Sequence, residues 1–354
     1  MSRSIPASLS SLESKHSRSW VLNEPFAQPF YRFEKNGRRW VPVPVQVQQV
    51  QQVHDNDTAG AASASSLPSK FRLITWNIDA QVPHAEERMA GALTHLEKLY
   101  RQTTSTTTTA DTPVVIFLQE MLPSDLQQIK QAGWVREHFH VTDLTPEFWE
   151  SPYYGTTTLV DKRLVVQRVF RVHYCDTRMQ RDGLFVDVLV GADTRGTASG
   201  AGVEPLLLRL CNTHLESLVS NPPLRPKQMK LASTFMHGSG SVNGLPPPHA
   251  AALAGDLNAF APEDRTAPIE CGLQDAFLVL GGRDDTDEAY TWGQQVPEEL
   301  RRRFGCSRMD KVLFCGGLRV TGLERIGEGV KVKARGEEVW VTDHLGLMAD
   351  FTVT

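Results

Sequence analysis

Between residues 156 and 212, four strand-like runs follow one another with no helical stretch between them: 156–160, 164–172, 184–191 and 206–212. This succession restricts the fold more than any other stretch of the chain. Strands joined directly pair as antiparallel hairpins, whereas a uniformly parallel sheet needs a helical crossover after each strand. Helical patterns lie on either side. Residues 84–102 place Met89, Leu93, Leu96 and Tyr100 on one face, and residues 225–236 read as a second long helix. A short helix opens at Pro123-Ser124-Asp125 and ends before Gly133, and a short basic one spans 298–304. Further strands are expected at 71–78, 114–118, 250–254, 312–315 and 346–353. Strand pairs interrupted by a few long helices predict an α/β (α+β) chain. Its form is a four-layer αββα sandwich, two packed and mainly antiparallel sheets with helices outside.

The ends of the chain divide by composition. Residues 1–24 are Ser-rich and expected to be flexible. Residues 25–45 carry two aromatic, β-rich runs around Asn36-Gly37, the pattern of a hairpin. Because an isolated hairpin is marginal, it is expected to dock on the main body. A Gln/Val tract and an Ala/Ser tract make 46–67 a linker, and 68–354 the main domain. No apolar run approaches the ~20 residues of a membrane-spanning helix, and the N-terminus lacks the apolar core of a secretory signal. The five scattered cysteines show no CxxC spacing, as expected of reduced thiols in the nucleus, the cytoplasm or both. With a net charge of −4, no global field attracts nucleic acid, so local arginines and a bound cation must supply any attraction.

Seven polar motifs mark the ends of apolar runs: Thr75-Trp76-Asn77-Ile78-Asp79, Leu118-Gln119-Glu120, Asn212-Thr213-His214-Leu215-Glu216-Ser217, Gly255-Asp256-Leu257-Asn258, Tyr290-Thr291-Trp292, Arg308-Met309-Asp310-Lys311 and Thr342-Asp343-His344. Singly they are ordinary: Glu120 could cap a helix, Gly-Asp-x-Asn could be an Asx-turn, and Trp292 could fill a core. Placed at successive strand ends they can converge on one sheet edge. There, carboxylates suit a hard cation such as Mg²⁺, imidazoles suit the charge on a phosphoryl group, and Asp-x-Asn can polarise a water. Asp343 and His344 are neighbours and point apart, so Asp343 is poorly placed to orient His344.

The constellation resembles the endonuclease/exonuclease/phosphatase superfamily over roughly residues 70–354, and within it the 5′-tyrosyl-DNA phosphodiesterase branch. The resemblance implies the αββα fold and a Mg²⁺-dependent (or Mn²⁺-dependent) phosphodiesterase acting on 5′ ends of DNA in repair. It implies metal placement by Glu120 and Asn77 with Asp343 in support, and catalysis by Asp256, Asn258, His214, His344 and Asp310, with Asp310 orienting His344. Ser217 and Trp292 become substrate contacts, Trp292 by stacking on a base. Three positions differ from the branch: Ala259-Phe260 follows Asn258 where an arginine is usual, Ala80 follows Asp79, and Leu345 follows His344. Arg225, Lys227, Lys230 and Arg301-Arg302-Arg303 are expected on solvated helix faces. Same-fold alternatives are an abasic-site nuclease, an RNA deadenylase, and a phospholipid or inositol-phosphate hydrolase. The alternative of another class is a catalytically silent interaction module.

Overall fold

The computed structural model describes residues 20–43, 67–80, 82–105, 112–192, 204–220, 222–238 and 244–354. Most of the expected flexible N-terminal segment and of the expected linker lies outside these residues. Two sheets form the body. One runs in the order β1 (Pro25–Ala27), β8 (Val165–His173), β9 (Asp182–Val190), β10 (Leu206–Thr213), β11 (Ala250–Asp256), β13 (Asp310–Gly316), β12 (Gln274–Asp275). The other runs β14 (Leu318–Ile326), β17 (Gly346–Val353), β4 (Lys70–Asn77), β5 (Val114–Met121), β7 (Gly155–Asp161), β6 (Phe139–Val141), β2 (Phe30–Glu34), β3 (Arg39–Val43). Only β4–β5 and β10–β11 are parallel among the described pairs. Each parallel pair is joined by a long helix, α1 (Ala85–Ser105) or α4 (Arg225–His237), as the crossover rule requires.

The strand period of two sorts side chains into layers. Phe71, Leu73, Val115 and Phe117 face inward and meet Leu184, Val186, Leu208 and Ala252 of the opposite sheet. The alternate residues Ile74, Trp76, Ile116 and Leu118 face outward and are covered by Met89, Leu93, Leu96 and Tyr100 of α1. On the other side, Cys211, Ala251, Leu253 and Leu313 lie beneath Met229, Phe235 and Met236 of α4. The result is a helix–sheet–sheet–helix sandwich.

The N-terminal hairpin joins the body at two places. β2 pairs with β3 around Asn36-Gly37 and with β6 at the edge of one sheet. β1 pairs with β8 at the edge of the other. Arg225, expected on a solvated face, is instead buried. Its guanidinium pairs with Asp264 and donates to the Leu218 carbonyl at 2.7 Å. Lys227 does lie at the surface, paired with Asp176.

Candidate active site

On each strand the inward face that is apolar in mid-strand ends in a polar residue at the same edge of the sandwich. β4 follows Phe71 and Leu73 with Thr75 and Asn77, β10 follows Leu208 and Leu210 with Asn212, and β11 follows Ala252 and Ala254 with Asp256. β11 and β13 pair with Asp256 opposite Asp310, so antiparallel register brings two carboxylates from distant sequence together. Beneath them, Gln119 of β5 donates to Asn212 Oδ1 at 2.8 Å, and Asn212 donates to the Thr157 carbonyl at 3.0 Å. This amide bridge ties the two sheets directly under the cleft.

Glu120 reaches the cleft by a backbone irregularity. The β5–β7 register shifts between Leu118 and Met121, and Glu120 takes φ 53°. Such a bulge redirects one side chain without ending the strand. The Glu120 carboxylate accepts from Asn77 Nδ2 at 3.3 Å and from the Ala80 N–H at 3.1 Å.

A continuous set of contacts links the remaining residues. Asn77 Nδ2 donates to Asp256 Oδ2 at 2.9 Å, and the Asn258 N–H donates to Asp256 Oδ1 at 2.8 Å. Asp256 Oδ2 lies 3.3 Å from His214 Nε2 and 3.7 Å from His344 Nε2. His344 Nδ1 is 2.8 Å from Asp310 Oδ2, the orienting pair expected from sequence, while Asp343 Oδ1 stands 3.9 Å from Nε2. Asp343 Oδ2 accepts from Trp292 Nε1 at 2.7 Å. Trp292 is half-buried at the rim, not in the core, and packs edge-on against Phe304. Ser217 is half-buried two residues beyond Leu215, whose carbonyl accepts from Asn258 Nδ2 at 3.2 Å.

Electrostatics follow from this packing. Burial disfavours the Asp256 carboxylate, but His344, His214 and the Asn258 N–H outweigh it and hold its pKa below the ordinary range. Burial disfavours the His344 imidazolium, yet Asp310, Asp256 and Asp343 together raise its pKa well above that of free imidazole.

A model of the Endonuclease/Exonuclease/phosphatase family matches residues 74–344, more than half of the chain. The chain belongs to the endonuclease/exonuclease/phosphatase family. Human tyrosyl-DNA phosphodiesterase 2 is 25% identical over 298 residues, covering 80% of this chain and 69% of that protein. The Danio rerio protein of that name is 25% identical over 253 residues, 69% of this chain and 58% of its own length. A crystal structure of humanized D. rerio TDP2 shares the fold with a TM-score of 0.57 at 21% identity, covering 80% of this chain and 100% of that one. The human Nocturnin catalytic domain shares it with a TM-score of 0.53 at 17% identity, covering 82% and 96%. The chain is a hydrolase of the phosphodiesterase and nuclease kind, and enzymes of the family depend on a divalent metal.

The donor set fits such an ion. Ligand atoms of Glu120, His214 and Asp256 lie within 4.8 Å of one another, two of them carboxylate oxygens, and Glu120 is open to the cleft. Asn77, expected as a metal ligand, contacts two residues of this group. Its amide nitrogen faces the carboxylates, while its oxygen accepts from the Asp79 N–H at 2.8 Å. In this geometry it holds Glu120 and Asp256 as a donor. Asp343 lies outside the donor group and is engaged by Trp292.

Arg181 was not expected from sequence. It is buried, its Nη1 meets His214 Nδ1 at 2.9 Å, and its guanidinium lies over the Tyr154 ring. Only spatial proximity to a residue 33 positions away distinguishes it from the chain's other arginines.

Proposed function

We propose that this protein is a Mg²⁺-dependent phosphodiesterase (Mn²⁺ serving as well) that cleaves a phosphodiester at a 5′ DNA end, as in repair of 5′-tyrosyl adducts. Its place of action would be the nucleus, the cytoplasm or both. The observation that carries the chemistry is the unbroken contact path from Glu120 through Asn77, Asp256 and His344 to Asp310 at one sheet edge. The substrate reading leans on the likeness to tyrosyl-DNA phosphodiesterase 2, including a D. rerio structure with a single-strand DNA product (TM-score 0.55, 20% identity).

Glu120, with Asp256 alongside, would hold the cation, which would screen phosphate charge and orient the scissile group. Asp256 remains ionised throughout the neutral range and can accept a hydrogen bond from an attacking water, fixing its direction. Asn258 restrains that carboxylate through its N–H. His344, kept protonated by Asp310, offers Nε2–H to a non-bridging phosphate oxygen as negative charge builds there. His214 accepts from Arg181 at Nδ1, which leaves its Nε2–H as a second donor on the cleft side. Trp292, pinned through its indole nitrogen by Asp343, leaves a ring at the rim for base stacking, and Ser217 is a second proposed substrate contact.

A panel of 5′-tyrosyl DNA, abasic duplex, poly(A), sphingomyelin and an inositol polyphosphate, each with Mg²⁺ and with EDTA, tests this reading. Metal-dependent release of tyrosine is expected. Turnover of another member alone moves the protein to a different branch, and no turnover of any member supports the silent-module alternative.

A further inference from the structure

The family match begins at residue 74, yet an N-terminal strap outside it reaches toward the catalytic cleft. Trp20 Nε1 donates to Glu150 Oε2 at 2.7 Å, and the Trp20 ring stacks on buried His173 at 4.1 Å. The Asn23 N–H donates to the His173 carbonyl at 2.7 Å, and Asn23 Oδ1 accepts from the Cys175 N–H at 2.8 Å. β1 then pairs with β8, and Gln28 closes the strap. Gln28 is buried, its Oε1 accepts from Arg171 Nε at 3.0 Å, and its Nε2 donates to the Thr142 carbonyl at 3.0 Å.

Arg171 is fully enclosed between the sheets. Its other N–H groups go to Asp143 at 3.0 Å, Asp182 at 2.9 Å, and the hydroxyl and carbonyl of Thr156. The guanidinium is therefore satisfied only with Gln28 present. Asp182 directly follows Arg181. Both carbonyls are anchored, that of Arg181 by the Tyr174 N–H at 3.1 Å and that of Asp182 by the Thr213 hydroxyl at 2.7 Å. Arg181 then meets His214 Nδ1. Glu150, Arg181, Asp182 and His214 line one small cleft, so Trp20 braces its wall while Gln28 braces its base.

Arginine only donates, so Nδ1 of His214 must accept, and the neutral ring carries its proton on Nε2. A displaced Arg181 would free the ring to carry its proton on either nitrogen. We propose that the strap, through Gln28 and Trp20, is a positioning element for the reaction. It holds Arg171 and Asp182, and thereby fixes Arg181 against His214 and the tautomer of that histidine. Only the kinetic part of this inference rests on the phosphodiesterase reading.

The test uses the full chain carrying Gln28→Leu, with Lys35→Ala at an exposed hairpin position (73% exposed) as control. Kinetics are read with Mg²⁺ on a p-nitrophenyl phosphodiester of thymidine. Ring-nitrogen NMR of ¹⁵N-histidine is read at mildly alkaline pH, where ordinary imidazole is neutral. In Gln28→Leu, kcat should fall about ten- to a hundredfold, the scale of a small misplacement transmitted from a distance, with KM nearly unchanged. His214 should pass from one Nε2–H tautomer to a mixture, and Lys35→Ala should match the parent in both readouts. Should Gln28→Leu not fold, Trp20→Ala replaces it, because Arg171 keeps its partners there, and the same shifts are expected at smaller size. A folded variant with parental kcat and a single tautomer, or one merely less stable with both unchanged, overturns the proposal. Absence of all phosphodiesterase activity would sink the functional reading, and the tautomer comparison would still decide the role of the strap.

Discussion

Glu120 at φ 53° stands where a long L side chain pays a conformational penalty, and its neighbours in the cleft, Asp79 (φ 56°) and Asn258 (φ 47°), share that region. Asp and Asn tolerate it well; Glu does so less readily. Glu120→Gly is therefore expected to stabilise the fold by ~1 kcal/mol while abolishing metal-dependent turnover. Thermal melts beside activity assays decide this. A variant less stable than the parent would show that the bonds to Asn77 and Ala80 outweigh the strain. Asp256→Asn should reduce turnover by ~10²-fold or more with little change in melting temperature, the scale of lost general-base help. Unaltered turnover would remove Asp256 from that role. Trp292→Ala should weaken turnover of a DNA 5′ end about tenfold or more while sparing the thymidine phosphodiester, since one stacked base is worth ~1–3 kcal/mol. Equal losses on both substrates would instead assign Trp292 to holding Asp343. At this scale the sequence was legible wherever a polar residue ended an apolar strand. It was silent on Arg181, whose meaning comes from a fold contact, and on which way the Asn77 amide points.

Elements were legible in proportion to how much apolar surface they bury. The inner strands and α1 announce themselves by period, but β14 alternates half-exposed residues beside a sheet edge, and the ribbon of β15 (Lys331–Ala334) and β16 (Glu337–Trp340) is mostly charged. The short helices α3 (Gly133–His138) and α5 (Glu263–Glu270) were also unread, the latter because it carries Pro268. Helix α2 (Pro123–Gln131) carries a testable cost at its start. Asp125 accepts from the Leu122 N–H at 2.7 Å, but its other oxygen is buried with no hydrogen-bond partner, and burial pushes its pKa up to about 6. A carboxyl raised above its unfolded value of ~3.9 favours the protonated fold, so this group's contribution to stability declines as pH rises from about 4 to 6. Asp125→Asn, which keeps the cap acceptor, should raise the melting temperature at pH above 7, with the gain shrinking toward pH 4. A gain that persists unchanged at pH 4 would refute the assignment.

As a whole, the molecule gathers the carboxylates of Glu120, Asp256, Asp310 and Asp343 and the imidazoles of His214 and His344 above a buried amide bridge where two sheets meet, so an ion bound there would be coupled to folding. Mg²⁺ should raise the melting temperature by mass action, and Glu120→Gln should remove that rise. An equal Mg²⁺-dependent rise in both proteins would place the ion elsewhere. Among the described residues, no helix is long and apolar enough to cross a membrane. One feature of the topology bears on how the protein is made. β17 lies inside its sheet between β14 and β4, although it follows both in the chain, and β1 and β2 pair with strands encoded more than a hundred residues later. A nascent chain that has not yet emitted residues 346–353 exposes the open flanks of β4 and β14. Such unpaired edges recruit other chains. A ribosome stalled just short of this strand should therefore leave a product that chaperones retain or that aggregates, and the cleft can assemble only once β17 has emerged to close the sheet between β4 and β14.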